Sequence, residues 1–432
     1  MPRPRFPRRR FLQLAATASS SLAVPTVAAT EQPPTTDADA SCRAVEALGR
    51  FLQQGGRSNA VAAEPFAAVP LVRRDAEEAR ELLSASRLAE VREARQADRA
   101  AGVLVDGDLR MPLFIKVFGA EPPEGRSVFI SMHGGGNAPA AVNDSQWQNQ
   151  QRLYEPAEGI YVAPRAPTNT WNLWHEPHID RFFDRLIDML AVTDGANRNR
   201  VYLMGYSAGG DGVYQLAPRM ADRWAAAAMM AGHPNDASAS SLRNLPFALQ
   251  VGGRDAAYNR NAIAVEWQQK LDALQQADPG GYEHFVKIYP EHGHWMQRED
   301  AVALPWMAKH TRNPVPRRVV WQQDDVLHSR FYWLAVDEEN RKARSTVLAE
   351  IDGQQITVES KDLANVTVHL DDRLVDLDRP LQIIANGRPL PEVLLERSIA
   401  TLAHTLAERG DAKLCFSARH MVPLSTNALS QP

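Results

Sequence analysis

The chain has 432 residues, and because ordinary domains run to roughly 100–200 residues, it is expected to hold two or three structural units. Hydrophobic residues at 44% and charged residues at 23% exclude a disordered, collagen-like or coiled-coil chain. The formal net charge is −4; the first 29 residues hold five arginines and no acidic residue, so the remainder carries −9. Since nucleic-acid binders present a basic face, nucleic acid is not an expected partner.

Residues 1–29 have the composition of an export signal. Arg8–Arg10 lead into Phe11 and a weakly apolar stretch from Leu14 to Val24, and small residues close the segment at Ala28 and Ala29. This order predicts a bacterial twin-arginine signal, with an ordinary Sec signal as the alternative, and either one predicts a periplasmic or secreted protein. The sequence has no run of 18 or more apolar residues, so no membrane span is expected.

Residues 30–101 are predicted to form a leader and an N-terminal helical segment, because Leu82, Leu83, Leu88 and Val91 are spaced along one helical face. Strands and helices then alternate over residues 102–312, which predicts an α/β domain with a mainly parallel sheet and helices on both faces. Its strands are predicted at Leu109–Phe118, Ser127–Met132, Ile160–Ala163, Val201–Met204, Ala225–Met230, Phe247–Val251 and Phe285–Tyr289, and its helices at Ile179–Val192, Ala208–Met220 and Ala262–Leu274.

Residues 313–432 are predicted to form a small β-rich C-terminal domain, whose contact with a polymeric substrate is left open. Its strands are predicted at Arg318–Trp321, Phe331–Val336, Ile356–Glu359, Val366–Leu370 and Leu381–Ile384, with a hairpin turn at Asn386-Gly387, a helix at about Leu395–Glu408 and a last strand through Phe416. The only cysteines are Cys42 and Cys415. In an oxidising compartment they either pair or remain two thiols, and both readings stay open.

A Gly-x-Ser-x-Gly motif carries the strongest chemical signal. Gly205, Ser207 and Gly209 follow the apolar residues Val201–Met204 and precede a helical pattern. A serine on such a sharp strand-to-helix turn needs neighbours without side chains, so that the backbone can reverse and the hydroxyl can project. This context predicts that Ser207 is a nucleophile.

A serine hydroxyl needs a base, and the base needs an acid that fixes its tautomer. Asp255 follows one late predicted strand, and His292 and His294 follow the next. The carboxyl ends of parallel strands meet at one edge of the sheet, so we expect these residues to approach Ser207. His294 is favoured over His292 as the base, and Asp255 over Asp211 as the acid.

Acyl transfer also needs hydrogen-bond donors for the developing oxyanion. One is expected to be the backbone N–H of Ala208, directly after the serine. The other is expected from the glycine-rich loop His133–Asn137, which follows a predicted strand, with Gly135 as the best single candidate.

Together, His133–Asn137, Gly205–Gly210, Asp255 and Gly293-His294 resemble the α/β-hydrolase superfamily, and are most similar to exported esterases of the polyhydroxybutyrate depolymerase and feruloyl esterase type. The resemblance covers about residues 109–309. It implies a Ser-His-Asp esterase that acts without a cofactor on polyesters, acylated plant polysaccharides or related small-molecule or polymeric esters. Asp211 departs from the pattern, because an apolar residue is more usual there, and the β-rich C-terminal domain does not match the binding modules of depolymerases.

Aromatic residues near these motifs are candidates for lining the substrate site, with loop packing as the alternative. They are Trp171 and Trp174, in the loop after the Ile160 strand, and Trp295 beside His294. His175 and His178 together with His292 raise the alternative of a metal site. However, the spacing is one residue short of His-Glu-x-x-His and Pro177 interrupts the helix, so no metal is expected.

Two other functions remain open on the sequence. The same triad serves serine peptidases of the prolyl-oligopeptidase kind, although no repeat typical of a β-propeller precedes the α/β region. A non-catalytic polymer-binding or surface protein on a hydrolase scaffold is the second alternative, and loss of a triad residue would be its mark. The favoured function is an exported serine hydrolase of carboxylic esters.

Overall fold

An eight-stranded sheet forms the centre of the computed structural model, which describes residues 36–425; the predicted export signal lies outside the described residues. Its strands are β1 (Val103–Asp106), β2 (Leu109–Phe118), β3 (Arg126–Met132), β4 (Gly159–Pro164), β5 (Ala196–Tyr206), β6 (Ala226–Met230), β7 (Phe247–Gly252) and β8 (His284–Tyr289). Their spatial order is β1-β2-β4-β3-β5-β6-β7-β8. The pairs formed by β2 are antiparallel and those from β4 to β8 are parallel. This arrangement is that of an α/β-hydrolase, so the predicted fold class is confirmed.

Helices cover both faces of the sheet because successive strand residues point to opposite sides. In β3, Val128 and Ile130 pack into one hydrophobic cluster and Phe129 into another. The first cluster takes side chains of α4 (Pro177–Thr193), α5 (Ala208–Arg219) and α6 (Arg260–Ala277), and the second lies against α3 (Ala140–Gln150) and α7 (Ala303–Met307).

The N-terminal helices α1 (Ala38–Gln53) and α2 (Arg73–Ala101) form a third cluster with the C-terminal helix α8 (Ile399–Arg409). The predicted helical face of α2 is only partly right. Leu83 and Val91 are buried, whereas Leu88 is 41% exposed. Cys42 is exposed, Cys415 is buried, and both are free thiols.

The C-terminal β-rich part contains two sheets. A five-stranded sheet has the order β16-β15-β13-β12-β9, and a four-stranded sheet has the order β10-β11-β14-β17, with strands β9 (Arg318–Gln322), β10 (Arg330–Phe331), β11 (Leu334–Ala335), β12 (Thr346–Asp352), β13 (Gln355–Glu359), β14 (Asn365–Leu370), β15 (Gln382–Ala385), β16 (Arg388–Pro389) and β17 (Ala418–Pro423). The predicted turn at Asn386-Gly387 joins β15 to β16, with φ of 49° and 75° as a tight hairpin turn requires.

Three C-terminal predictions are wrong in detail. The single strand expected at Phe331–Val336 is a two-strand hairpin, reversed at Tyr332, where φ is 52°. The helix starts at Ile399 because the Ser398 side chain caps it by accepting from the Thr401 N–H. The last strand does not run through Phe416, whose N–H donates to Thr405 on α8, and instead begins at Ala418.

The C-terminal strands share a hydrophobic core with the α/β part. Trp321 and Trp333 belong to the same buried cluster as Phe182 of α4 and Leu249 of β7. The described residues 36–425 accordingly belong to one compact unit. Among the described residues, no helix combines the length and apolar character that crossing a membrane requires.

Candidate active site

Ser207 sits on a strained turn between β5 and α5. Its backbone has φ 58° and ψ −121°, a conformation that costs energy for any residue with a side chain. The flanking glycines are sterically required, because a Cβ on Gly205 would lie 2.2 Å from the Gly209 oxygen, and one on Gly209 would lie 2.2 Å from the Met132 oxygen. The turn is held in place by the Ser207 N–H, which donates to Met230 O at 3.0 Å.

His294 and Asp255 complete a hydrogen-bonded chain with Ser207. The Nε2 atom of His294 lies 3.0 Å from Ser207 Oγ, and its Nδ1 atom lies 2.7 Å from Asp255 Oδ2. Asp255 is only 2% exposed. A buried carboxylate accepting from Nδ1–H leaves Nε2 as the free base that faces the serine. The structure therefore brings together the three side chains that the sequence singled out.

His292 and Asp211, the alternative base and acid, have other partners. His292 Nε2 lies 2.9 Å from Glu299 Oε1. Asp211 Oδ1 accepts from the His233 N–H at 2.6 Å, and burial raises the pKa of its carboxyl. Neither of these two side chains makes a hydrogen bond with Ser207 or His294 in the described part of the chain.

The loops that carry Asp255 and His294 are tied directly to each other. The Arg254 N–H donates to His292 O at 2.9 Å. Gly252 allows this close approach, since a Cβ there would lie 1.9 Å from the Gly293 oxygen. The separation between acid and base is thus set by backbone contacts as well as by their own hydrogen bond.

Tyr206 holds the histidine loop against the elbow, a role that the sequence analysis did not find. Its hydroxyl donates to His294 O at 2.6 Å and accepts from the Met296 N–H at 3.0 Å. Its ring also packs edge-on against the His294 imidazole. The only signal in the sequence was a tyrosine directly before the serine. That position alone does not predict which residues the tyrosine hydroxyl will bind.

The glycine-rich loop presents backbone amides beside Ser207. A Cβ on Gly134 would lie 3.2 Å from Ser207 Cβ. Asn143 Oδ1 accepts from the Gly136 N–H at 2.8 Å, which fixes the loop and occupies that amide. Within residues 36–425, no hydrogen bond engages the N–H of Gly135 or of Ala208. These two amides are available for an oxyanion, as the sequence predicted, and a φ of +108° at Gly135 explains the need for glycine there.

His133 holds this glycine-rich loop in place through hydrogen bonds. Its ring is buried, with Nδ1 2.6 Å from Gly134 O and Nε2 accepting from the Ala166 N–H at 3.2 Å. Burial lowers the pKa of His133 to about 4, so the imidazole is neutral at pH 7. Trp174 donates from Nε1 to His133 O at 2.7 Å and is fully buried. Trp174 therefore belongs to the core and does not line the substrate site, which corrects the sequence prediction.

Two cavities meet at Ser207, and they differ in chemistry. The polar lobe, of about 350 Å³, is lined by Trp171, Asp211, His233, Asn235, Tyr258 and Arg260. The wide lobe, of about 920 Å³, shares Tyr258 and Arg260 and adds His294, Trp295, Val142, Gln146, Asn149 and Leu153. Trp171 and Trp295 are 60% and 51% exposed. Each of these tryptophans thus borders one lobe.

The histidines that suggested a metal site do not assemble. His175 packs edge-on against Trp171, His178 lies 3.5 Å from Glu176, and His292 pairs with Glu299. Among the described residues, the group with metal-ligand spacing is instead Asp372, Asp376 and Asp378 in the C-terminal part. Arg397 already pairs with two of those carboxylates.

Comparisons with known proteins return structures but no sequence relatives. No protein-family model and no curated protein matches the chain. A thermostable esterase structure is 17% identical with a TM-score of 0.36, the match covering 49% of this chain and 62% of that one, which is under two thirds of its length. A ferulic acid esterase is 16% identical with a TM-score of 0.35, over 48% of this chain and 95% of that one.

A third similar structure is a carboxylesterase from Mesorhizobium loti. It is 18% identical with a TM-score of 0.33, and the match covers 48% of this chain and 97% of that one. All three of these structures are described as esterases. At these levels of similarity, a function for this chain has to be inferred from its own site.

Proposed function

We propose that the protein is a serine hydrolase that cleaves carboxylic esters through an acyl-enzyme. The observation that carries the proposal is the continuous hydrogen-bonded chain from Ser207 Oγ through His294 to the buried Asp255 carboxylate. A serine becomes nucleophilic at neutral pH only when such a base is within reach. The two unengaged amides beside it supply the second requirement of acyl transfer.

The reaction begins when Ser207 Oγ attacks the ester carbonyl carbon while its proton moves to His294 Nε2. The carbonyl oxygen becomes an oxyanion, which the amides of Gly135 and Ala208 bind. The carbon–oxygen bond to the alcohol then breaks, and His294 gives its proton to the leaving oxygen. Water attacks the remaining acyl-serine with His294 again as the base, and the acid product leaves as Ser207 regains its proton.

Asp255 and the oxyanion amides contribute in different ways. Asp255 accepts from His294 Nδ1, which orients the ring and stabilises the imidazolium that forms during attack. Each oxyanion donor is worth about 2.7–4 kcal/mol of transition-state stabilisation in enzymes of this kind. Because both donors are backbone amides, they are pre-oriented by the fold and need no rearrangement during the reaction.

A direct test compares ester and amide substrates with the serine present and removed. The wild-type enzyme is expected to hydrolyse p-nitrophenyl acetate far faster than an aminoacyl p-nitroanilide, and Ser207→Ala should abolish ester turnover. Ser84→Ala is the matched control, because that hydroxyl donates to Arg80 O in α2, outside both lobes. Preferential turnover of the anilide would support the peptidase alternative, and no turnover of either would support a non-catalytic protein.

The proposal includes export from the cytoplasm, on the strength of residues 1–29. The arginine pair at positions 8 and 9 is the feature that a twin-arginine receptor reads. Replacing both with lysine should retain the esterase in the cytoplasmic fraction of the producing bacterium. Unchanged export of that variant would favour a Sec signal.

A further inference from the structure

The proposed mechanism fixes which half of an ester enters which lobe, and the inference here rests on that mechanism. The leaving alcohol must lie within hydrogen-bonding reach of His294 Nε2, because this atom returns the proton to it. His294 lines the wide lobe and not the polar lobe. The alcohol half therefore leaves through the wide lobe, and the acyl half occupies the polar lobe.

Asp211 is the feature of the polar lobe that the mechanism does not use. It follows the glycine pair of the elbow on the first turn of α5, and its carboxylate lines the lobe together with Ser207. Oδ1 accepts from the His233 N–H, and in the described part of the chain no hydrogen bond engages Oδ2. The lobe thus contains an uncommitted acceptor next to the nucleophile.

Arg260 places a positive charge in the same lobe. Its side chain is about nine-tenths buried, and its Nε atom has no hydrogen-bond partner among the described residues. Its nearest carboxylate is Asp255, 3.7 Å away. Because the Asp211 carboxyl and the Arg260 guanidinium line the same lobe, a bound cation would meet Arg260 and a bound anion would meet Asp211, so an uncharged polar group suits the lobe best.

His233 adds a further polar side chain to the lobe, next to Asp211. The Asn235 N–H donates to its Nδ1 at 2.9 Å, and within the described residues no hydrogen bond engages its Nε2 atom, which can donate to a ligand when it carries the ring proton. The lobe accordingly offers acceptors and donors together within about 350 Å³. A short acyl chain bearing a hydroxyl group satisfies both kinds of partner, whereas a plain alkyl chain would displace water from them and replace none of the hydrogen bonds.

We propose that Asp211 makes the enzyme selective for esters of short hydroxylated acids, by accepting a hydrogen bond from the hydroxyl of the acyl group. Asp211 is a specificity-determining residue in this account and takes no part in bond making or breaking. The wide lobe, with Trp295 at its border, leaves room for a larger alcohol half.

The test compares phenyl esters of butyric, 3-hydroxybutyric and 3-aminobutyric acid, each rate being divided by that ester's hydroxide-catalysed rate. Wild-type kcat/KM should favour the 3-hydroxy ester over the butyrate by about tenfold, as one added hydrogen bond in the transition state implies. In Asp211→Asn, Oδ1 can still accept from the His233 N–H, but an NH₂ group replaces the free acceptor. The preference should then fall to about one.

Glu266→Gln is the matched control, since this exposed carboxylate on α6 lines neither lobe; it should keep the preference of the wild type. A wild-type ratio near one, a ratio that survives Asp211→Asn, or a stronger preference for the 3-amino ester would each overturn the inference while leaving the esterase proposal intact. Failure to hydrolyse any of the three esters would contradict the proposed function itself. A purely structural role of Asp211 would lower all rates together and leave the ratio unchanged.

Discussion

The residues of the candidate site divide into those that the proposed mechanism uses and those that hold them in place. Ser207, His294 and Asp255 could be predicted from the sequence because each belongs to a short motif at a strand end. Tyr206, Asn143 and His133 could not be given roles, since a hydroxyl, an amide and a buried ring act there through hydrogen-bond partners that no sequence motif indicates. Trp174 was misplaced for a related reason, as an aromatic residue in a loop has the same sequence signature whether it lines a cavity or enters the core.

The buried neutral state of His133 makes the stability of the fold sensitive to acid. The pKa of this imidazole is about 4 in the folded chain against 6.5 when unfolded. Between these values the unfolded chain binds more protons, so the free energy of unfolding should fall as pH drops from about 6.5 towards 4. For this group alone the loss reaches about 3 kcal/mol.

Chemical denaturation at a series of pH values measures this effect. His133→Gln removes the titrating ring. The slope of the unfolding free energy against pH should then decrease over that interval by an amount equivalent to at most one bound proton, even if the variant is less stable overall. A pH dependence identical to that of the wild type would show that His133 does not contribute.

At the scale of elements, the strand-to-helix elbow depends on contacts that only glycine permits. Gly209→Ala would place a methyl group against the backbone oxygen of Met132, a group that β3 holds rigidly. We expect a loss of several kcal/mol of stability or a displaced Ser207, and in either case a large loss of ester turnover. Circular dichroism melting together with kcat distinguishes the two results.

Gly49→Ala in α1 is the control for this substitution. A Cβ at Gly49 meets nothing within 4 Å, and alanine favours a helix over glycine by about 1 kcal/mol. This variant should be as stable as the wild type or slightly more so. If Gly209→Ala behaved in the same way, the steric account of the elbow would be wrong.

The strands and helices of the α/β part were largely predictable, because buried parallel strands have continuous apolar runs and flanking helices have one apolar face. The strands of the C-terminal part were less predictable. Strand β12 has alternating burial, but the apolar Leu348 occupies one of its outward positions and interrupts the alternation in the sequence, and the strand was missed. Strands β10 and β11 contain two residues each, too few for any periodicity, and the hairpin between them is dictated by tertiary packing.

At the scale of the whole molecule, a buried ionic cluster joins the α/β part to the C-terminal part. Asp222 is fully buried, lies 2.8 Å from Arg409 of α8, and accepts from the Tyr332 N–H at 3.2 Å. The cluster holds the pKa of the Asp222 carboxyl well below its usual range, Arg223 being the largest stabilising neighbour although burial opposes it.

Asp222→Ala should cost about 3–5 kcal/mol of unfolding free energy, because it leaves the Arg409 guanidinium buried without its counter-charge. The surface pair Arg318–Glu350 provides a contrast, and Glu350→Ala should cost less than about 1 kcal/mol. Urea denaturation of both variants measures the difference. Equal effects would mean that the buried cluster does not couple the two parts.

The proposed mechanism requires above all that Ser207 is an activated nucleophile, and covalent labelling tests this most directly. A fluorophosphonate probe should add one phosphonyl group per chain, and peptide mass mapping should locate it on Ser207. The label should be absent from Ser207→Ala and should form far more slowly on His294→Ala, whose serine has lost its base. Labelling of another residue, or undiminished labelling of either variant, would contradict the proposed mechanism.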